Sequence, residues 1–156
     1  MICVSYSILD SNIPNAGKGL FTTEFVKAGK ILVSPTSINE VLKLNELVSD
    51  EYSPFADSSV RWFENYCTIS PDWPDECFVN HSFEPNGIWH LGFIFAAKDL
   101  MPGEEITVDY RHLLGPGIDI GFKDSITGNA VIGLNWKEAL KHSANRIVEL
   151  VDNFSE

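Results

Sequence analysis

"FVNHSFEPN", residues 78–86, packs two amides, an imidazole, a hydroxyl, a carboxylate and a proline directly behind two apolar residues that read as the end of a buried strand. Such a cluster has two readings. It is a turn whose polar groups satisfy one another, or a polar bend that reads the edge of a polar ligand. Adjacent side chains in an extended segment point apart, so Ser82 beside His81 does not form a nucleophile–base pair. No histidine or carboxylate stands at ligand spacing nearby, which leaves metal binding unsupported. Functional bends of this kind are carried by a rigid scaffold, and the flanking sequence has to supply it.

Working outward, short extended segments dominate. "ICVSYSIL" (2–9) alternates loosely and predicts a strand, and "DSNIPNAGKGLF" (10–21) predicts a loop ending in a short strand around Leu20 and Phe21. "KILVSP" (30–35), "VRWFENYCTI" (60–69) and "WHLGFIFAA" (89–97) each read as one strand, the last buried on both faces in its second half. Within residues 36–58, "INEVLKLNELV" places Val41, Leu44, Leu47 and Val48 on one helical face and predicts a short helix. Pro102-Gly103 predicts a turn, with Glu105 to Tyr110 extended after it. The Gly-rich "GPGIDIGFKDSITGN" (115–129) reads as loop with scraps of strand. One long helix is predicted at the C-terminus: Asn135 can cap it, and Trp136, Ala139, Leu140, Ile147, Leu150 and Phe154 lie along one stripe. Many short strands and one terminal helix make a mainly β domain of the α+β class.

Two further stretches carry chemistry. In "NAGKGLF" (15–21), Gly17 and Gly19 surround Lys18 and would let backbone approach a ligand, or form a plain β-turn. The stretch has neither the third glycine of a dinucleotide loop nor the pattern of a P-loop. In "GEEITVDY" (103–110), Tyr110 follows a carboxylate at a strand end. It is either a core residue with a satisfied hydroxyl or a phenol placed to hydrogen-bond near a reacting atom.

The 156 residues are 44% hydrophobic, enough for one core. Eleven Lys and Arg against 22 Asp and Glu give a formal charge of −11, which argues against direct nucleic-acid binding and favours cationic partners. Three cysteines without a C-x-x-C pair, and four histidines without pairing, predict reduced thiols and no zinc site. No apolar run reaches the ~20 residues of a membrane span. No secretory signal is visible either. A cytoplasmic protein is expected, with a nuclear or secreted-effector setting as alternatives.

Taken in order, Gly-x-Gly-Leu-Phe-Thr, Asn-His-Ser-x-x-Pro-Asn and Gly-Glu-Glu-Ile-Thr-x-Asp-Tyr resemble the signature of the SET-domain protein lysine methyltransferases. "GKGLFTTEFVKAGKIL", "FVNHSFEPN" and "FAAKDLMPGEEITVDY" carry the likeness, over roughly residues 2–112. It departs at Phe83, where a cysteine is common, and in lacking cysteine-rich zinc segments on either side. The resemblance implies a SET-type β-clip fold of small sheets with a pseudoknot that brings the "NHS" and "DY" stretches together. It implies a SET domain over 1–112 and a C-terminal segment over 113–156 packed on it in place of the zinc segment. The methyl donor would be S-adenosylmethionine, held by Lys18, Gly19, Leu20, Asn80, His81 and Tyr110, with Trp136 or Phe122 against the adenine. Ordinary core packing is the alternative for both aromatics. Tyr110 would be the central catalytic residue, with Tyr66 a second channel tyrosine or a core residue. The acceptor would be lysine in a basic, histone-like protein. A non-catalytic SET-fold module that binds a basic peptide is the competing reading.

Overall fold

The computed structural model describes residues 1–35 and 41–153, apart from the Phe122 side chain. The described residues include five small sheets, four 3-10 turns and one α-helix, in keeping with a mainly β, SET-type α+β fold. Strands β1 (Tyr6–Asp10) and β2 (Lys18–Thr22) pair antiparallel, Tyr6 opposite Thr22 and Asp10 opposite Lys18. In β2 the residues from Gly19 to Thr22 are all buried, so this strand is covered on both faces. The central sheet begins with β3 (Ile31–Val33). A second sheet contains β4 (Val41–Lys43), β5 (Val60–Phe63) and β6 (Tyr66–Thr68) in the order β4-β6-β5. After β7 (Asn80–His81), β8 (Gly87–His90) and β9 (Phe93–Ala96) complete the central sheet as β3-β9-β8. Strand β10 (Thr107–Val108) lies parallel to β7, and β11 (Asp119–Lys123) pairs with β12 (Ala130–Ile132) as a hairpin.

The main core gathers Leu20, Leu32, Ile94, Leu100, Ile106 and Val108 between these sheets, and Tyr110 packs against its edge. A smaller cluster, Leu42, Cys67 and Ile69, lies under the β4-β6-β5 sheet. Helix α1 (Trp136–Asp152) is capped by the Asn135 side chain, which accepts the Glu138 N–H at 3.0 Å. It buries Ala139, Ser143 and Leu150 and packs on β8, where Ser143 Oγ meets His90 Nδ1 at 3.0 Å. Among the described residues, no helix is long and apolar enough to cross a membrane.

Several segments depart from the sequence expectation. The helix expected over 38–48 falls partly outside the described residues. Its remainder is β4 followed by a single 3-10 turn, Leu44–Glu46. Pairing decides this: Leu42 lies opposite Cys67 and both are buried in the smaller cluster, while Val48 is left 84% exposed. The single strand expected over 60–69 is the β5–β6 hairpin, turning at Glu64 with φ of 47°. Phe78 ends a 3-10 turn (Asp75–Phe78) rather than a strand, so the polar stretch begins β7 instead of closing one. The strand expected over 89–97 is the β8–β9 hairpin, and only alternate residues of β9 are buried.

That last hairpin turns on Leu91 and Gly92, both left-handed at φ of 50° and 90°. Two positive φ values suit the right-handed twist of the flanking strands. The unusual Leu91 conformation is held from outside, because Trp62 Nε1 donates to the Leu91 carbonyl at 2.8 Å. A Cβ on Gly92 would collide with that same indole. Gly92→Ala is therefore expected to lower stability by more than about 1 kcal/mol. Urea unfolding followed by tryptophan fluorescence would measure it, and a wild-type midpoint would refute the contact.

Candidate functional site

The closing stretch of sequence lies between the other two. On one side its backbone runs against β2: Thr22 N donates to Glu104 O at 3.1 Å, Ile106 N to Leu20 O at 2.7 Å, and Phe21 bridges Glu105. Two residues later β10 takes β7 as its parallel partner, Thr107 opposite Asn80 and Val108 opposite His81, and Ser82 N donates to Val108 O at 3.0 Å. Asn86, at the end of the polar stretch, continues this pairing with its side chain. Its Nδ2 donates to Glu105 O at 2.8 Å and its Oδ1 accepts from Thr107 N at 2.9 Å. Backbone groups leaving a short strand need such partners when buried. The "NHS" and "DY" stretches are thus brought together as expected.

A polar cluster sits where the three stretches meet. Asn80 Nδ2 donates to Lys18 O and to Glu105 Oε1, both at 2.8 Å, with Ser11 Oγ at 3.3 Å. Glu105, 8% exposed, also accepts from Ser11 Oγ at 2.6 Å and from Asn12 N at 2.8 Å. A Cβ on Gly19 would fall on the Glu105 carboxylate, so the residue there has to be glycine. Gly17, by contrast, has nothing within 4 Å on its Cβ side at φ of 74°. The Lys18 side chain points away to an exposed ion pair with Asp10 at 2.6 Å, and pairs of that kind contribute little. Leu20 is fully buried in the core, so only its backbone can face a ligand.

Tyr110 stands beside this cluster at the start of a 3-10 turn, Tyr110–His112. Its backbone N–H donates to His81 Nδ1 at 3.1 Å, and its phenol donates to the Val79 carbonyl at 2.7 Å. The two rings lie 5.4 Å apart. Accepting at Nδ1 places the proton of neutral His81 on Nε2. Burial lowers the His81 pKa, and the acids Asp109 and Asp124 offset this only in part. Burial pushes the Tyr110 phenol up to about 12, with Cys77 and Glu105 adding to the effect. At neutral pH this residue is a protonated hydrogen-bond donor. Tyr110, Val79 and Val108 line a cavity of about 1420 Å³ whose wall also includes Trp62, Trp73 and Trp89.

Phe83 occupies the position where the resemblance leads one to expect cysteine. It packs edge-on against His81, centroids 4.7 Å apart, and the Arg111 guanidinium lies 4.7 Å above its ring. Asp109 holds that guanidinium at 2.6 Å. Among the described residues no group of three His, Cys, Asp or Glu is placed to hold a metal. Phe83, Arg111, Thr127, Asn129 and Glu138 border a second cleft of about 670 Å³, so the β11–β12 hairpin and the start of α1 supply its far wall. Of the expected site residues whose side chains are described, only Tyr110 lines either cavity; Lys18, Gly19, Leu20, Asn80, His81, Tyr66 and Trp136 line neither. Trp136 is half-buried in the first turn of α1, and Tyr66 stacks on Phe63 at 5.1 Å, as β-hairpin neighbours do. The Phe122 side chain lies outside the described residues. Ser11, Glu105 and Arg111 were not singled out by sequence reasoning. Glu105 had a signal, an acid doubled in a strand that turns buried; Ser11 had none.

The C-terminal segment is tied to this site by buried polar contacts. Arg61, 1% exposed, donates to Leu134 O at 2.7 Å and His112 O at 3.3 Å, and Leu134 N donates to Arg111 O at 2.9 Å. His112 Nε2 and His142 Nδ1 are 2.9 Å apart with their rings stacked. Burial, with His142, Arg111 and Arg61 nearby, holds the His112 pKa at about 4, against the pull of Asp109. The unfolded chain therefore takes up a proton near pH 6.5 that the folded chain refuses until about pH 4. Stability from this group is complete above pH 6.5 and is lost as pH falls through that window, by up to about 1.4 kcal/mol per pH unit. Urea unfolding between pH 7 and 4 should show this slope, and His112→Gln should flatten it; His81 and His90, also lowered by burial, supply the remainder. An unchanged slope in the variant would place His112 outside the buried pair.

Comparison with known proteins agrees with this geometry. The sequence profile of the SET domain matches residues 17–111. A Plasmodium falciparum (isolate 3D7) protein named "Putative histone-lysine N-methyltransferase 1" is 32% identical over 112 aligned residues. That alignment covers 61% of this chain and only 2% of the longer protein. The fold is similar to a chain in the "Structure of ctPRC2 in complex with H3K27me3 and H3K27M", with a TM-score of 0.57 at 18% identity, over 84% of this chain and 16% of that one. With the family signature spanning more than half its length and its three stretches meeting at Asn80, this chain belongs to the SET-domain family.

Proposed function

We propose that this chain is a protein lysine methyltransferase that transfers a methyl group from S-adenosylmethionine to the side-chain amine of lysine in a basic protein. The observation that carries the reading is the position of Tyr110, which lines the large cavity while its backbone is bonded to His81 beside the Asn80 cluster. The residues present fit the donor. Among the described residues the half-buried Asn80 has no hydrogen-bond donor at Oδ1, which leaves that atom available to a ligand. Lys18, Gly19 and Leu20 would hold the amino-acid end through their backbone, with Asn80 through its side chain. His81 would hold the nucleoside end, and residues 113–156 would close the site beside a SET domain over 1–112. When bound, the sulfonium supplies an electrophilic methyl group.

The residues of the chain have then to present a neutral amine in line with that group. Lysine in water has a pKa near ~10.4, and entry into a desolvated cavity walled by Val79, Val108 and Trp89 lowers it. The Tyr110 phenol gives its proton to the Val79 carbonyl, so its oxygen would accept from an amine N–H and leave the nitrogen lone pair free for the methyl group. With its own pKa near 12, Tyr110 takes no proton; it positions. Alignment in a confined site lowers barriers by up to ~7–11 kcal/mol in favourable models, more than a proton transfer supplies. Asp57, Asp72 and Glu76 on the cavity border, together with the net charge of −11, favour a cationic substrate.

Incubation with labelled donor and a panel of basic proteins tests the reading. Tyr110→Phe should lower the transfer rate at least ~10-fold, with donor affinity held within about threefold. Donor binding without transfer to any protein would instead favour the binding-module reading. Because neither His81 nor Tyr110 titrates between pH 7 and 9, kcat/KM should rise about tenfold per pH unit as the free substrate amine loses its proton. A fall above pH 8 would mean that a group of the protein acts as an acid in the reaction.

A further inference from the structure

Asn80 has an amide whose two ends look alike in shape but differ in chemistry, and the atoms around it decide which way it faces. Lys18 O, 2.8 Å from Nδ2, can only accept. Glu105 already accepts from Ser11 Oγ–H and Asn12 N–H, so its Oε1, also 2.8 Å from Nδ2, acts as an acceptor as well. Ser11 spends its single proton on Glu105 at 2.6 Å, which leaves its oxygen to accept from Ile13 N at 3.0 Å and Asn80 Nδ2 at 3.3 Å. The loop bearing Ser11 is closed by its own N–H, bonded to Gly17 O at 2.9 Å. Turning the amide over would set Oδ1 against two acceptors and forfeit both short bonds.

We propose that Glu105, with Ser11, is a positioning residue that locks the Asn80 amide with its carbonyl oxygen towards the ligand, so that the cluster selects a ligand carrying a primary ammonium group. This rests on the reading of Asn80 as part of the donor site. Nδ2 is fully spent inside the protein, and Oδ1, the remaining polar atom, can only accept. Lys18 O keeps a second lone pair. Two acceptors, Asn80 Oδ1 and Lys18 O, complement an ammonium with its three N–H groups. A carboxylate entering the same place would meet the buried Glu105 charge, and Gly19 allows the lock to form because any side chain there would displace Glu105.

Calorimetry with S-adenosylhomocysteine and its desamino analogue reads the selection. Wild type should bind the amino compound at least ~10-fold more tightly, since a site with committed acceptors rejects a ligand lacking the matching donor. Glu105→Gln offers Asn80 a donor and lets the amide turn, and the milder Ser11→Ala loosens it. Both variants should bring the two affinities within about threefold, mainly by weakening the amino compound. Equal loss of affinity for both ligands, or a wild type that does not discriminate, would overturn the proposal. In the free wild-type protein, proton NMR should find the Asn80 side-chain NH2 slowly exchanging, and fast exchange would overturn the lock itself. If wild type binds neither compound, the donor reading and the selection fail together, while slow exchange of that amide would still uphold the positioning role.

Discussion

The site depends on one run of five residues finding two different partners. Residues 104–106 are bonded to β2, and residues 107 and 108 are bonded to β7, so a short stretch of backbone joins segments that are far apart in sequence. Each junction is only two or three hydrogen bonds long. The run is stable because Ile106 and Val108 are fully buried in the core on either side of the exchange, and hydrophobic burial supplies the driving force that short ladders lack. Asn86 adds two side-chain bonds at the crossover, where regular pairing stops. Asn80, His81 and Tyr110 all project from or directly follow residues that this arrangement holds.

Buried polar groups are concentrated around that junction, and nearly all have partners. Glu105 is satisfied by three donors, and Asp109 by Arg111. Arg61 is different. It is buried without a carboxylate among the described residues, is held by two carbonyls, and leaves its Nε without a partner. Burying an unpaired cation is costly, and the carbonyls it holds belong to Leu134 and to His112, in the turn that begins with Tyr110. Those two bonds tie Leu134 of the C-terminal segment and His112 to β5. Phe83, where the family often has cysteine, is capped by the Arg111 guanidinium.

Much of this was legible in the residues. The mainly β character, the Asn135-capped terminal helix, the Gly-rich stretch with scraps of strand, and the meeting of the Asn80 and Tyr110 stretches all follow from local pattern and motif order. The errors share one cause. Residues 60–69 and 89–97 look continuous because apolar and aromatic residues fill them, yet each folds back on itself. Glu64 and Leu91 adopt left-handed turns that their side chains do not advertise, and Leu91 does so under a hydrogen bond from Trp62, distant in sequence. The helical spacing of residues 41–48 gave way to pairing with Cys67 for the same reason.

Local chemistry determined which residues would be polar, apolar, capped or bent, and so determined the class of fold and the residues capable of chemistry. The tertiary structure alone decided which of them meet. Asn80 faces Glu105 and Ser11, Tyr110 bonds to Val79, and of these only Tyr110 lines the large cavity. These outcomes depend on strand register and on a crossover between two sheets, where shifting a strand by one residue turns each side chain to the other face. Such register is set by the packing of the whole core, and no short stretch of sequence records it.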